Sequence, residues 1–373
     1  MKKLLLGMLI LPAMTANAAG LTPYILINKE YRSLSQEKTA RMSKSTGITD
    51  VDGFETRLGA KASQELESGI TASGKVELGI NSSRDGANDD RIRIRLAQID
   101  LAGSIGKVTI GQHWNPNTLK MLALDPFTAT GAQLLGLESG DVVGATGGNF
   151  GMKARYFNDG LTYTSPKFAG IQASLTYDQS DDDDLNQDLD GNTEKWTTLV
   201  VSYGKTFGKS SLNVHVTRAT GSVENTSVMT ADNDEAFTTL GLKFSCPSFG
   251  ASAAYTLDDK GQINTAATPT VATDIERKHL LAAVWYNMGM FTFGVNYGKT
   301  SFDDKENLGS STDNKGGSQS QLGLGVIYKL AKNVKTRLLY RSQKIETKGT
   351  GTVAGTSKTN KANAIIAGAT VSF

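Results

Sequence analysis

Arg-Ile-Arg-Ile-Arg-Leu-Ala-Gln-Ile-Asp-Leu, residues 91 to 101, has the alternation of a β-strand, and a second alternating run begins at Lys107. Side chains alternate between the two faces of a strand, so each run predicts two chemically different faces. One face of the first strand is apolar: Ile92, Ile94 and Leu96. The other face is basic: Arg91, Arg93 and Arg95. The apolar phase slips near Ala97 and Gln98, which predicts a β-bulge within an antiparallel hairpin.

A long segment, Trp114 to Asn149, follows this hairpin before the next strand pattern begins. Connections of this length inside a compact domain are usually functional or disordered. Its charged residues are few: Lys120, Asp125, Glu138 and Asp141. Its large apolar residues are many: Leu119, Met121, Leu122, Leu124, Phe127, Leu134, Leu135 and Leu137. Low charge and ample apolar surface argue against disorder, so we predict a loop tucked inside a barrel.

The first eighteen residues, Met1 to Ala18, have the pattern of a cleaved signal peptide. Lys2 and Lys3 precede an apolar run, and Ala16-Asn17-Ala18 forms the cleavage motif. The mature chain, residues 19–373, is predicted to be a single domain. Without those two lysines it carries 37 basic and 37 acidic residues, so no global charge attracts nucleic acid.

Alternating segments continue along the whole chain and number sixteen. The first two, Leu21 to Tyr31 and Phe54 to Gln64, are separated by a polar stretch, Arg32 to Asp52. Short turns and long polar loops then alternate strictly between the strands, which is typical of outer-membrane barrels and uncommon in two-sheet sandwiches. We therefore predict an all-β fold, a 16-stranded antiparallel transmembrane β-barrel with a long inward-folded third loop. Closure would pair every strand edge, as a sheet in lipid requires.

Three segments resemble a known family, the trimeric general porins of Gram-negative outer membranes. Residues 95–112 resemble the strand, glycine turn and strand that lead into the family's third loop, and residues 155–166 resemble the strand after it. Phe373 ends an alternating strand, similar to the signal read by the barrel-assembly machinery. The family's common loop motif Pro-Glu-Phe-Gly-Gly-Asp is absent, and Asp125-Pro126-Phe127 stands in the loop instead.

The resemblance implies an exported homotrimer in the bacterial outer membrane, in contact with lipid and lipopolysaccharide. It implies passive diffusion of ions and small hydrophilic solutes, with no reaction and no cofactor. Small residues such as Ala60, Ala62 and Ala72 would give the early strands smooth outer faces that suit trimer contacts.

Inside such a barrel the predicted functional residues form a basic wall and an acidic loop. The basic wall consists of Arg57, Lys75, Arg91, Arg93 and Arg95. The constriction loop spans about residues 114–149 and carries the opposing acids Asp125, Glu138 and Asp141. A loop folded against one wall leaves a gap whose charges filter solutes.

Other functions stay open at this point. The arginine ladder also fits a substrate-selective channel, for instance for anions such as phosphate. A barrel hydrolase would need a nucleophile and a base, yet His113, His215 and His279 belong to no hydrolase or zinc-protease signature. An adhesive or structural barrel would show no conductance. The acidic run Asp181 to Asp184 indicates an exposed loop that its charge keeps solvated, and its spacing is not that of an EF-hand calcium loop.

Overall fold

The computed structural model describes residues 20–38, 41–51, 54–67, 69–81, 91–134, 156–181, 192–225, 233–264, 271–307, 317–347 and 358–373. Within these ranges the chain forms seventeen β-strands and one short α-helix. The elements are β1 (Thr22–Lys38), β2 (Arg41–Asp50), β3 (Thr56–Glu65), β4 (Thr71–Ile80), β5 (Ile92–Gly103), β6 (Gly106–Trp114), α1 (Pro116–Leu122), β7 (Tyr156–Thr164), β8 (Ile171–Asp181), β9 (Asn192–Phe207), β10 (Ser210–Asn225), β11 (Asn233–Ser245), β12 (Phe249–Asn264), β13 (Val271–Met288), β14 (Phe291–Asn307), β15 (Gly317–Ala331), β16 (Val334–Thr347) and β17 (Lys358–Ser372). No helix among the described residues has the length and apolar character needed to cross a membrane.

The sheet closes on itself because the last strand pairs with the first. From β3 onward each strand is antiparallel to its sequence neighbour, and β17 pairs with β1 over a register that sets Leu26 opposite Ser372. The backbone N–H of Phe373 donates to the carbonyl of Ile25 at 2.9 Å and completes the seam. Strands β2 and β3 pair with successive parts of the same side of β1. The wall therefore has sixteen strand positions, and the predicted sixteen-stranded antiparallel barrel is confirmed.

The stretch from Arg32 to Asp52 differs from the sequence prediction of a polar loop. Strand β1 continues to Lys38 and returns as β2, with Lys29 opposite Asp50. Their side chains are also linked, since Lys29 Nζ donates to Asp50 Oδ2 at 2.5 Å. A strand with polar residues on both faces shows no apolar alternation, so the pattern could not reveal this hairpin.

The predicted bulge exists, but it lies about two residues earlier than expected. In the β4–β5 ladder Glu77 pairs with Leu96 and Leu78 pairs with Ile94, which makes Arg95 the extra residue. Arg95 and Leu96 consequently both point inward, and each is 0 % exposed. The expectation that Leu96 shares the outer face of Ile92 and Ile94 is wrong for this reason.

The outer face of the barrel is apolar and the inner face is polar. Along β13, Leu280 and Val284 are exposed, while the residue before each of them, His279 and Ala283, is buried. Aromatic residues lie on the outer face beside the short turns, as in the aromatic girdles of membrane barrels. They include Tyr163, Phe168, Phe207, Phe249, Tyr286 and Phe291.

Candidate functional site

A buried arginine between two glutamates forms the centre of the wall predicted to be basic. Arg95 Nε donates to Glu77 Oε1 at 2.7 Å, and its Nη1 donates to Glu55 Oε2 at 2.9 Å. Arg95 is the bulged residue of β5, and its guanidinium also lies 5.9 Å from the Trp114 ring. A charge removed from water at this position is stabilised only by such paired, charge-assisted hydrogen bonds.

Three further cations complete the wall. Arg93 Nε donates to Glu55 Oε1 at 2.8 Å, and its side chain stays 39 % exposed. Arg57 and Lys75 lie 3.8 Å and 3.6 Å from the Glu77 carboxylate. We call these six side chains the charged wall: Glu55, Arg57, Lys75, Glu77, Arg93 and Arg95. Counted over these six side chains alone, four cations and two carboxylates give a formal net charge of +2.

The two glutamates are the functional residues that sequence reasoning missed. Glu55 and Glu77 lie on the same polar faces as Arg57 and Lys75, so the alternation itself could have placed them in the lumen. Arg91 lies one residue before β5 and is exposed, and its carbonyl accepts from the Asn81 N–H at 2.8 Å.

The described part of the long loop starts with the helix α1. Pro116 occupies the first turn, where its missing N–H costs nothing, and the Asn115 side chain caps the helix by accepting from the Asn117 N–H at 2.8 Å. Met121 and Leu122 of the helix, with Leu124 and Leu134, pack in one cluster with Val51, Phe54, Ala254 and Leu281. The loop residues from 115 to 134 therefore contact the buried face of the sheet.

Asp125 holds this loop in its fold. Its carboxylate accepts from the N–H groups of Phe127 and Leu134 at 2.9 and 2.6 Å, and from Asn296 Nδ2 at 2.8 Å. Burial raises the pKa of the Asp125 carboxyl, and these donors oppose that rise. Its contacts indicate a fastening role rather than a charge that faces passing solutes.

The part of the loop around Gly131 is hydrogen-bonded to strands β1 and β16. The Gly131 N–H donates to Glu30 of β1 at 2.9 Å, and the Gly131 carbonyl accepts from Arg341 of β16 at 2.6 Å. Glu30 in turn accepts from Arg337 Nε at 2.7 Å. A Cβ at position 131 would lie 2.5 Å from Glu30 Oε2, so a larger residue there would displace the Glu30 carboxylate from its hydrogen bond. The loop thus reaches from β6 to β16 and β1.

Several predicted positions lie outside the described residues. They are Glu138, Asp141, the rest of the loop to Asn149, the signal peptide, and the acidic run from Asp182 onward. Among the residues that are described, no group of three or more histidine, cysteine or acidic side chains could hold a metal ion.

The three histidines lie on the inner face of the barrel. His113 contacts the Gly111 carbonyl and Thr162 Oγ1, both at 2.6 Å, and His279 Nδ1 contacts Thr300 Oγ1 at 2.9 Å. His215 is also buried.

Comparison with known proteins gives a family and a fold. A family model described as Gram-negative porin matches residues 6–348. No curated protein sequence matches the chain. Among solved structures, the chain is similar to the anion-selective porin from Comamonas acidovorans, with 17% identity and a TM-score of 0.68 over 95% of this chain and 100% of that chain.

Two other solved structures show the same fold. The outer membrane channel DcaP of Acinetobacter baumannii has 13% identity and a TM-score of 0.66 over 95% of this chain and 98% of that one. The trimer form of OmpT, an outer membrane protein of Vibrio cholerae, has 15% identity and a TM-score of 0.61 over 96% and 100%.

Proposed function

The chain belongs to the Gram-negative porin family, and from this we propose that solutes cross its barrel through the gap between the loop carrying α1 and the charged wall. The protein is a diffusion channel of the bacterial outer membrane.

The proposed path is supported by the hydrogen bonds that attach the loop after β6 to the inner face of the barrel. Between residues 117 and 133 its polar contacts reach β9, β10, β11, β14, β15, β16 and β1: Ser202, Thr217, Lys243, Asn296, Gln321, Arg341 and Glu30. A segment held across the lumen narrows the channel, and the charged side chains of β3, β4 and β5 then border what stays open. Pore diameter and the charges that line it decide which solutes pass.

Planar-bilayer recording tests this function. A general diffusion channel conducts nearly in proportion to salt concentration, because no solute site saturates. Saturation at low phosphate would favour a substrate-selective channel instead, and a complete lack of conductance would contradict both.

The charged wall should give a preference for anions. We expect Arg93→Glu to move the zero-current potential in a salt gradient toward cations, because Arg93 is the half-exposed arginine of the wall and the excess of two positive charges would be cancelled. The shift should shrink in molar salt, where the Debye length falls to about 3 Å. Lys332→Glu makes the same charge change in the β15–β16 turn, outside the charged wall, and is the matched control. Equal shifts in both variants would show that the wall does not filter ions.

The anion-selective alternative rests on the same wall. The Comamonas acidovorans protein of similar fold is described as anion-selective, and four cations around two carboxylates give the charge that such a preference needs. The size of the Arg93→Glu shift therefore distinguishes a weak bias from strong selectivity.

We expect a homotrimer in mild detergent, in keeping with the trimer form of the similar OmpT structure. Mass photometry should give three times the mass of one mature chain, and a monomer under these conditions would contradict the proposal. The outer apolar face would contact lipid and lipopolysaccharide. Phe373, which is 74 % exposed at the seam, is accessible to the barrel-assembly machinery.

We further propose that the protein catalyses no reaction. The chain belongs to a family of channels, and His113, His215 and His279 belong to no hydrolase or zinc-protease signature. Purified protein should be inactive in lipase and protease assays, and activity lost on changing His113 or His215 would overturn this.

A further inference from the structure

A cavity of about 360 Å³ lies between helix α1, the β7–β8 turn and the adjacent parts of β9, β10 and β11. Three lysines line it: Lys120 from α1, Lys167 from the β7–β8 turn, and Lys243 two residues before the end of β11. Short turns of such barrels face the periplasm. The cavity therefore lies on the periplasmic side of α1.

The three lysines share a lack of acidic partners. Among the described residues none of them forms a salt bridge, and no aspartate or glutamate lines the cavity. Lys120 Nζ donates to Ser202 Oγ at 3.2 Å, and Lys243 Nζ donates to the Ala123 carbonyl at 2.6 Å. Burial, and then the nearby Lys167, lower the pKa of Lys120, as expected where like charges converge without a counter-charge.

Neutral donors complete the lining of the cavity. Gln172 and Asn213 contribute amide groups. His215 is only 4 % exposed, and its Nε2 has no hydrogen-bond partner among the described residues. A buried polar atom without a partner at the wall of a cationic cavity points to a polar ligand there.

A second cavity of about 510 Å³ shares Lys120 and Gln172 with the first. It adds Lys75 and Lys107, each of which is paired with one carboxylate, Glu77 at 3.6 Å and Asp100 at 3.3 Å. Positive charge therefore continues from the charged wall toward the three lysines. An anion that passes the wall would meet a less neutralised cluster next.

From this arrangement we infer that Lys120, Lys167 and Lys243 form a binding site for small anions carrying two or more negative charges, such as a dicarboxylate or a phosphate. The inference rests on the proposed function and deepens it, because it adds a weak, saturable site to a diffusion path. Divalent anions would pair with two ammonium groups at once, whereas acetate or chloride would pair with only one. The site therefore discriminates by anion valence rather than by anion size.

The test uses the full-length protein in planar bilayers with succinate, inorganic phosphate or acetate added to a chloride background. Succinate or phosphate should interrupt the chloride current in a saturable way, and acetate should not. Lys167→Gln and Lys243→Gln should each raise the half-blocking concentration about tenfold, because each variant loses one charge-assisted contact with the anion. Lys332→Gln removes a lysine from the β15–β16 turn, outside the cavity lining, and is the matched control.

Titration calorimetry of the detergent-solubilised protein with the same anions measures binding without conduction. Succinate and phosphate are compared separately, so block by one of them alone supports the site and identifies its preferred head group. Equal weak binding of acetate and the divalent anions, or binding unchanged in both lysine variants, would overturn the inference. Those results would leave the diffusion function intact, since that function is read from the salt dependence of the conductance.

Discussion

Replacing Arg95 with methionine is expected to lower the free energy of unfolding by about 3 to 5 kcal/mol, the cost typical of breaking a buried ion pair. Arg95 is 0 % exposed and supplies hydrogen bonds to both Glu55 and Glu77. Without it two buried carboxylates lose their principal counter-charge and stand close together. Urea unfolding followed by tryptophan fluorescence measures the loss, with Trp114 beside the guanidinium as a local reporter.

Two comparisons separate this charge effect from a packing effect. Arg93→Met removes an arginine from the same strand, but its side chain is 39 % exposed, so a smaller loss is expected. Arg95→Lys keeps a positive charge between Glu55 and Glu77 and should retain much of the stability that Arg95→Met loses. If Arg95→Lys is as unstable as Arg95→Met, the packing and shape of the arginine rather than its charge stabilise the wall.

Deleting residues 117–133 and bridging the gap with a short glycine-serine linker should raise the single-channel conductance at least about two-fold, because a sixteen-stranded barrel without an internal segment leaves a wide aqueous channel. The barrel should still fold, since β6 and β7 keep the pairing that joins the two sides of the loop. Single-channel recording of the refolded variant measures the change. Anion preference should also fall, because the charged wall would no longer border a narrow gap.

A substitution that keeps the loop in place provides the control. Leu119 is 48 % exposed on α1, so Leu119→Ser should conduct like the parent protein. Asp125→Ala removes the acceptor shared by Phe127, Leu134 and Asn296, and it should give a noisier channel whose conductance lies between those of parent and deletion. A deletion variant that folds and conducts like the parent would place the constriction elsewhere.

The alternation of apolar and polar residues was enough to predict the barrel. Nearly every strand has lipid on one side and water on the other, so its residues alternate between apolar and polar. Alternation did not reveal β2, because both faces of that strand are polar. It also predicted the bulge about two residues too late, because the spacing of apolar residues cannot show whether Arg95 or Leu96 is the extra residue.

The partners within the site were harder to predict than its strands. Glu77 and Arg95 are 18 residues apart in sequence, and Glu30 and Arg337 are 307 apart, so each pair depends on strand register or on closure. Asp125 was expected to oppose the wall as a charge. Its burial depends on contacts with Asn296, which no local pattern indicates.

The seam between β1 and β17 also orders the events of assembly. Leu26 and Ser372 are paired although nearly the whole chain separates them, and contacts of such high order form slowly. Until β17 arrives, the sheet is an open ribbon with two unpaired edges, which are prone to aggregation. The loop tip needs Glu30 from the first strand and Arg341 from the sixteenth. The loop can make both contacts only when β1 and β16 lie on either side of β17, so complete docking of the loop is coupled to closure of the barrel.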